Sequence, residues 1–259
     1  MIIKRYVLKK ILVFGLLTIL LYPFVLHAGK ITIAVAANVS YAIEDLKKTF
    51  NLTNTETTVQ VILGSSGKLT AQIMNGAPFD LLLSANMLYP NRLYEENMAT
   101  MKPKVYAQGA LAILSNKKRD YRAKIFVLED ADIDKIAIGN PKTAPYGVAA
   151  KEALTNATIY DKVKHKLVYG ESVSQTLGYV MTAADIGIVA KSSLYASQMS
   201  TYKEAIHWLD VDEKLYTPID QGMVILKSAK GNAEVKAFYD FMLSSKAKAI
   251  LKQYGYKVP

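Results

Sequence analysis

The chain has 259 residues, of which 51% are apolar and 21% charged, enough to bury the core of one large or two small domains. It contains no cysteine, which excludes disulfides, thiolate metal sites and cysteine nucleophiles. The formal net charge of +10 falls to +6 without the four basic residues among the first 28, and the remaining lysines are scattered. This scatter argues against nucleic acid as a partner.

Residues 1–28 have the form of a secretory signal peptide. A basic segment runs to Lys10, an apolar stretch follows it, and Ala28 supplies a small residue for cleavage. A membrane span needs about 20 consecutive apolar residues, and Pro23 interrupts this stretch. We therefore expect a cleaved leader and export rather than an uncleaved anchor.

Short apolar runs alternate with helical patterns from Lys30 onward. The predicted strands are 31–36, 59–63, 79–84, 136–139, 166–169 and 186–189. The predicted helices are one from Asn38 or Ser40 to Phe50, one from Ser66 to just before Gly76, and 87–97, 146–156, 173–182, 233–243 and 245–254. This rhythm predicts an α/β fold with parallel sheets that helices cover on both faces.

Two stretches, 106–114 and 217–226, share a polar start, a glycine and an apolar run. We interpret them as a matched pair of crossings between two lobes. After the leader, residues 29–105 plus 217–259 are then predicted to form lobe I, and residues 106–216 to form lobe II.

The stretch Gly64-Ser65-Ser66-Gly67-Lys68 joins a predicted strand to a predicted helix. Ser66 therefore stands in the first helical turn, where backbone N–H groups lack partners and the helix dipole is positive, which suits an anion. Simple helix capping by serine explains the same stretch. A nucleotide-binding P-loop does not, because two residues rather than four separate the glycines and Leu69 follows the lysine.

Four predicted strand-to-helix turns carry small or polar residues. They are Ala36-Ala37-Asn38, Gly64-Ser65-Ser66, Pro145-Tyr146-Gly147 and Gly170-Glu171-Ser172-Val173, two in each predicted lobe. Ligands of open parallel sheets bind outside the carboxyl ends of the strands, so a cleft between the lobes would bring these turns together. Each helix start acts like about +0.5 of a charge. Together they would hold a small dianion without lysine or arginine.

The sequence resembles the molybdate-binding proteins of bacterial ABC importers over nearly all of the chain after the leader. The stretches that carry the resemblance are AVAANVSYAIEDL, GSSGKLTAQIMNGAPFDLLLSAN, GNPKTAPYGVAAKEAL, DIGIVAKSS and AFYDFMLSSKAKAILKQYGY. The resemblance implies a type II periplasmic binding protein of two α/β lobes, each a mostly parallel sheet flanked by helices, that close on molybdate or tungstate. It also implies a monomer that hands the ion to a membrane permease, without enzymatic activity or cofactor.

Carried over to this sequence, the resemblance places Asn38 and Ser66 against the oxyanion. It adds backbone N–H donors from Tyr146 and Val173, with a further one from Ala37, and no side chain that coordinates a metal. Many family members have a tyrosine after Gly-Ile-Val, where this chain has Ala190. We expect the Tyr146 hydroxyl to replace that donor.

Three alternatives remain open from the sequence. A binding protein of the same architecture would take sulfate if selection by ion size failed. Another of this architecture would take ferric iron, because the 17 tyrosines are a source of phenolate ligands. An exported hydrolase would use Ser66 or Ser172 as nucleophile and need a base. The only histidines after the leader are His165 and His207, and a pair of Ser66 with Lys68 is a further possibility. Monohydrogen phosphate needs an acceptor for its proton, and Glu171, the one acidic residue in the four turns, would supply it only if it faced the site.

Overall fold

Two five-stranded sheets with flanking helices make up the computed structural model, which describes residues 29–259. The predicted signal peptide, residues 1–28, lies outside the described residues. No helix within residues 29–259 combines the length and apolar character needed to cross a membrane.

All six predicted strands are present, three more fall in the stretches interpreted as crossings, and one was not predicted. They are β1 (Gly29–Ala36), β2 (Thr57–Gly64), β3 (Leu81–Leu83), β4 (Lys104–Gly109), β5 (Leu111–Leu114), β6 (Ile136–Gly139), β7 (Leu167–Gly170), β8 (Ile186–Ala190), β9 (Trp208–Asp210) and β10 (Ile219–Ile225). The short edge strand β9 has no apolar run and the sequence pattern did not predict it.

The α-helices alternate with these strands. They are α1 (Ile43–Asn51), α2 (Ser66–Met74), α3 (Leu88–Glu95), α4 (Pro145–Asn156), α5 (Tyr160–Val163), α6 (Val173–Thr182), α7 (Ala233–Met242) and α8 (Ser245–Gln253). The helix predicted from Asn38 or Ser40 begins later, at Ile43, and a 3-10 turn, Ala37–Val39, precedes it.

The two sheets repeat one plan. The first sheet has the strand order β2-β1-β3-β10-β4, and with its helices we call it lobe I. The second has the order β7-β6-β8-β5-β9, and with its helices we call it lobe II. In each sheet one strand, β10 or β5, runs antiparallel to both neighbours, and the other four point the same way. The sheets are therefore mostly parallel, as predicted, and the carboxyl ends of their parallel strands meet at one edge.

Strand β1 shows why its sequence is apolar on both faces. Ile33 and Val35 pack with the cluster that contains Phe50 of α1 and Phe238 of α7. Ala34, which points the other way, packs with Leu69 of α2. A strand covered by helices on both sides has no solvent face, so its side chains do not alternate in polarity.

The crossings between the lobes differ in detail from the prediction. Strand β4 belongs to the first sheet up to Gly109 and β5 begins in the second at Leu111, so the chain crosses at Ala110 rather than at Tyr106. Strand β10 lies entirely in the first sheet, and the return crossing precedes it, between Asp210 and Ile219. The similarity between 106–114 and 217–226 therefore reflects buried strands more than matched crossings.

Helix α4 approaches strand β6 closely at Gly147. A β-carbon there would collide with the Gly139 carbonyl oxygen and lie 2.5 Å from its carbonyl carbon. We expect Gly147→Ala to lower the free energy of unfolding by about 1–3 kcal/mol, because the helix must move off the strand. Urea unfolding measures this difference.

Gly178→Ala is the matched control, since a β-carbon at this position in α6 meets no atom within 4 Å. Removing a glycine from a helix interior should stabilise the protein by about 0.5–1 kcal/mol. Equal destabilisation by both substitutions would contradict the role of close packing at Gly147.

Candidate functional site

A small cavity lies between the carboxyl edges of the two sheets. Its volume is about 10 Å³, and it is lined by Ala36, Ala37, Asn38, Ser65, Ser66, Ala85, Ala144, Pro145, Tyr146 and Val173. The structure thus brings all five residues predicted for the site, Ala37, Asn38, Ser66, Tyr146 and Val173, to one cavity. No lining residue carries a charge.

Each predicted turn meets the cavity at the start of a helix or 3-10 turn. The 3-10 turn follows β1, α2 follows β2, α4 follows β6 after a short loop, and α6 follows β7. Three of these are α-helices whose positive ends face the same space, which favours an anion there.

Backbone N–H groups at these starts have no acceptor in the protein. Among residues 29–259, the amides of Ala37, Ser66, Tyr146 and Val173 make no hydrogen bond. Helices α2 and α4 have no side-chain cap at all. Buried donors without partners are costly, so these four amides are the expected ligands of a bound anion.

The Ser66 side chain is suited to donate its hydroxyl hydrogen. Its Oγ accepts the Ala85 N–H at 2.9 Å, and the residue is 1% exposed. Because that bond uses an oxygen lone pair, the hydroxyl hydrogen stays available to a ligand in the cavity.

The Asn38 amide is engaged on the protein side. Its Nδ2 donates to Gln221 Oε1 at 2.8 Å and to the Tyr256 hydroxyl at 2.9 Å. Gln221 fixes this orientation, because its own Nε2 donates to the carbonyls of Ala85 and Ile219. Both amide hydrogens of Asn38 are therefore used, and its backbone N–H is the donor that remains for a ligand.

The Tyr146 hydroxyl lies beside Gly109, behind the start of helix α4. It is buried without a hydrogen-bond partner, next to Gly109, which does not line the cavity. Burial, reinforced by the nearby Tyr256 and Tyr106 hydroxyls, raises the pKa of Tyr146 well above its usual value. The replacement of the donor missing at Ala190 by this hydroxyl stays a prediction.

Direct hydrogen bonds close the two lobes around the cavity. They run from Gly67 N–H to Thr143 O at 2.9 Å, Ser65 Oγ to Glu171 Oε1 at 2.9 Å, Ser174 Oγ to Ala37 O at 2.9 Å and Ser192 Oγ to Asn38 O at 3.0 Å. Sequence reasoning missed Ser174 and Ser192. Ser192 follows the end of β8 as Ser66 follows the end of β2, and the same rule applied to that strand would have found it.

Glu171 lies outside the cavity lining. Its carboxylate accepts the Ser65 hydroxyl and stands 3.9 Å from Lys68 Nζ. No carboxylate lines the cavity.

Neither histidine offers a base to Ser66. His165 and His207 do not line the cavity, and the Nδ1 atom of His207 accepts the Lys203 N–H. The neighbour of the Ser66 hydroxyl is the Ala85 amide. Within residues 29–259, no group of three histidine, aspartate or glutamate side chains is placed to hold a metal ion.

Residues 31–257 match the family of bacterial extracellular solute-binding proteins. The chain belongs to this family. The two-lobe α/β architecture of a solute-binding protein, which the sequence predicts, is confirmed.

Individual relatives share most of their length with this solute-binding protein. Molybdate-binding protein ModA of Rhodobacter capsulatus is 35% identical over 231 residues, which cover 88% of this chain and 88% of that protein. The putative ABC transporter substrate-binding lipoprotein YvgL of Bacillus subtilis is 32% identical, with 87% and 85% covered. The solved periplasmic molybdate-binding protein of Azotobacter vinelandii superposes with a TM-score of 0.81 at 32% identity, covering 88% of this chain and 99% of that one.

The tyrosines behind the cavity predict an alkaline limit to stability. Burial raises the pKa of Tyr256 to about 12, so its proton is held more tightly in the folded than in the unfolded protein. The unfolding free energy should therefore be steady below about pH 10 and fall by about 1.4 kcal/mol per pH unit for this residue between about pH 10 and 12.

Urea unfolding between about pH 8 and 12 tests this dependence. Tyr256→Phe removes one titrating group, so its stability should fall less steeply over that range than that of the wild type. Identical slopes for the two proteins would contradict the assignment to Tyr256.

Proposed function

We propose that this solute-binding protein binds molybdate or tungstate outside the cytoplasmic membrane and delivers the ion to the permease of an ABC importer. The observation that carries the proposal is a cavity without charged residues, lined by helix starts whose amides have no protein acceptor. The relatives named for molybdate binding support the choice of ion. Export through the leader, a monomeric state and the absence of catalysis complete the proposal.

Charge balance supports a dianion. Three α-helix starts, each equivalent to about +0.5 of a charge, together offset about 1.5 of a dianion's two negative charges. A lysine or arginine would attract such an ion strongly and slow the release of the ion to a permease. Neutral donors hold the ion without that extra attraction. The closed lobes exclude water and strengthen each of these hydrogen bonds.

A cavity without a carboxylate also selects among anions. Monohydrogen phosphate needs an acceptor for its proton, and no carboxylate lines the cavity. Sulfate has the charge and shape of molybdate, so size alone separates them. A smaller ion in a cavity with fixed amides loses contact with several donors at once.

Titration calorimetry on the ion-free purified protein tests this selection. Each lost hydrogen bond to a charged ligand is worth about 1 kcal/mol or more, so sulfate should bind at least about 100-fold more weakly than molybdate or tungstate. Comparable affinities for sulfate and molybdate would refute the proposal.

Ser66→Ala removes one donor from the cavity and one acceptor from the Ala85 amide. We expect molybdate binding to weaken by about 1–3 kcal/mol in calorimetry. Ser228→Ala is the control, because its hydroxyl donates to the Phe79 carbonyl and does not line the cavity. An unchanged affinity in Ser66→Ala would place the ion elsewhere.

The two rival activities lack support at the cavity. Iron would need phenolate ligands, yet Tyr146 is the only tyrosine among the lining residues, and burial raises its pKa. A hydrolase would need a base beside Ser66, where the structure places a backbone amide. Visible absorbance that grows with added Fe(III), or esterase activity lost in Ser66→Ala, would favour these rivals.

A further inference from the structure

The Tyr146 side chain crosses from lobe II into lobe I. Tyr146 is the second residue of helix α4, and it lines the cavity. Its hydroxyl, however, lies against Gly109 of β4, close to Gln221 of β10. Both of those strands belong to the first sheet, so the ring spans the junction between the lobes.

Gly109 stands at the crossing itself. It is the last residue of β4, and the chain passes to the second sheet through Ala110. A β-carbon on Gly109 would collide with the Tyr146 hydroxyl and lie 3.0 Å from the ring carbon Cζ and 3.1 Å from Gln221 Nε2. The ring therefore reaches this position only because residue 109 has no side chain.

The contact is coupled to the cavity by a short rigid path. The aromatic ring and the unbonded backbone N–H belong to the same cavity-lining residue, in the first turn of one helix. Moving the hydroxyl away from Gly109 therefore requires a rotation of the ring or of lobe II, and the buried ring has little room to rotate. A shift of the lobe moves the amide with it.

We propose that Gly109 and the Tyr146 ring form a stop at the hinge that sets the angle to which the lobes close, and through it the fit of the cavity to the anion. Gly109 is thus an affinity-determining residue that does not touch the ligand. This inference rests on the proposed oxyanion-binding function.

A double-mutant cycle tests the stop. Wild type, Gly109→Ala, Tyr146→Phe and the double variant are titrated with molybdate by calorimetry, and their thermal unfolding is recorded. In the wild-type background Gly109→Ala should weaken binding by about tenfold or more, because the methyl group holds the lobes apart. Combined with Tyr146→Phe, it should cost clearly less than in the wild-type background, because the colliding oxygen is gone and only the tight contacts with Cζ and with Gln221 Nε2 remain.

Two further measurements separate closure from folding. Small-angle X-ray scattering with saturating molybdate should give a larger radius of gyration for Gly109→Ala than for wild type, and the double variant should return towards the wild-type value. Gly178→Ala, which adds a methyl group in open space, should leave both binding and scattering unchanged.

The outcomes are distinct. The same loss of affinity from Gly109→Ala in both backgrounds, or failure to fold in both, would overturn the stop, because the hydroxyl would not be the source of the conflict. Rescue of folding or binding by Tyr146→Phe supports it. A wild-type protein that binds neither molybdate nor tungstate would refute the proposed function itself, and the inference with it.

Discussion

The first N–H groups of an α-helix cannot be satisfied inside that helix, and the structure collects several of them in one buried place. A donor buried without a partner costs about 1–3 kcal/mol. The cavity has three such amides at α-helix starts and a fourth in the 3-10 turn, so it is unfavourable unless an acceptor occupies it. A tetrahedral oxyanion supplies acceptors in several directions at once. The same groups that oppose closure of the lobes alone therefore favour closure around the ion, and this links binding to domain motion.

This constraint explains the composition of the turns. Small residues at the strand ends, such as Ala36, Ala85 and Ala144, allow the backbone to approach a ligand and leave its amides uncovered. Side-chain caps on α2 and α4 would compete with the ligand for the same N–H groups, and neither helix has one. Ser65 precedes α2 at the capping position, but its hydroxyl donates to Glu171 in the other lobe.

Local pattern determined much of the fold and of the candidate site in advance. Strands such as β1 are predictable because burial on both faces requires a continuous apolar run, and the carboxyl-edge rule then groups Asn38, Ser66, Tyr146 and Val173. The pattern does not predict the direction in which a side chain points. Whether the Tyr146 hydroxyl points to the ligand or to Gly109 depends on the angle between the lobes, which no local segment encodes. The edge strand β9 was missed for a related reason. It is defined by its pairing with β5, and it has no apolar run by which the sequence could predict it.

Asn38 shows how the two lobes and the end of the chain act on one turn. Its carbonyl oxygen accepts hydrogen bonds from the hydroxyls of Ser192 in lobe II and Tyr256 near the C-terminus. Its side-chain Nδ2 donates to Gln221 Oε1. These bonds fix the peptide planes of the 3-10 turn, and with them the direction of its free amides. Because Ser192 reaches this carbonyl only across the cleft, closure of the lobes completes the turn's hydrogen bonding. The lobe I part of the site is therefore best ordered in the closed state, where the donors of both lobes converge on the same small volume.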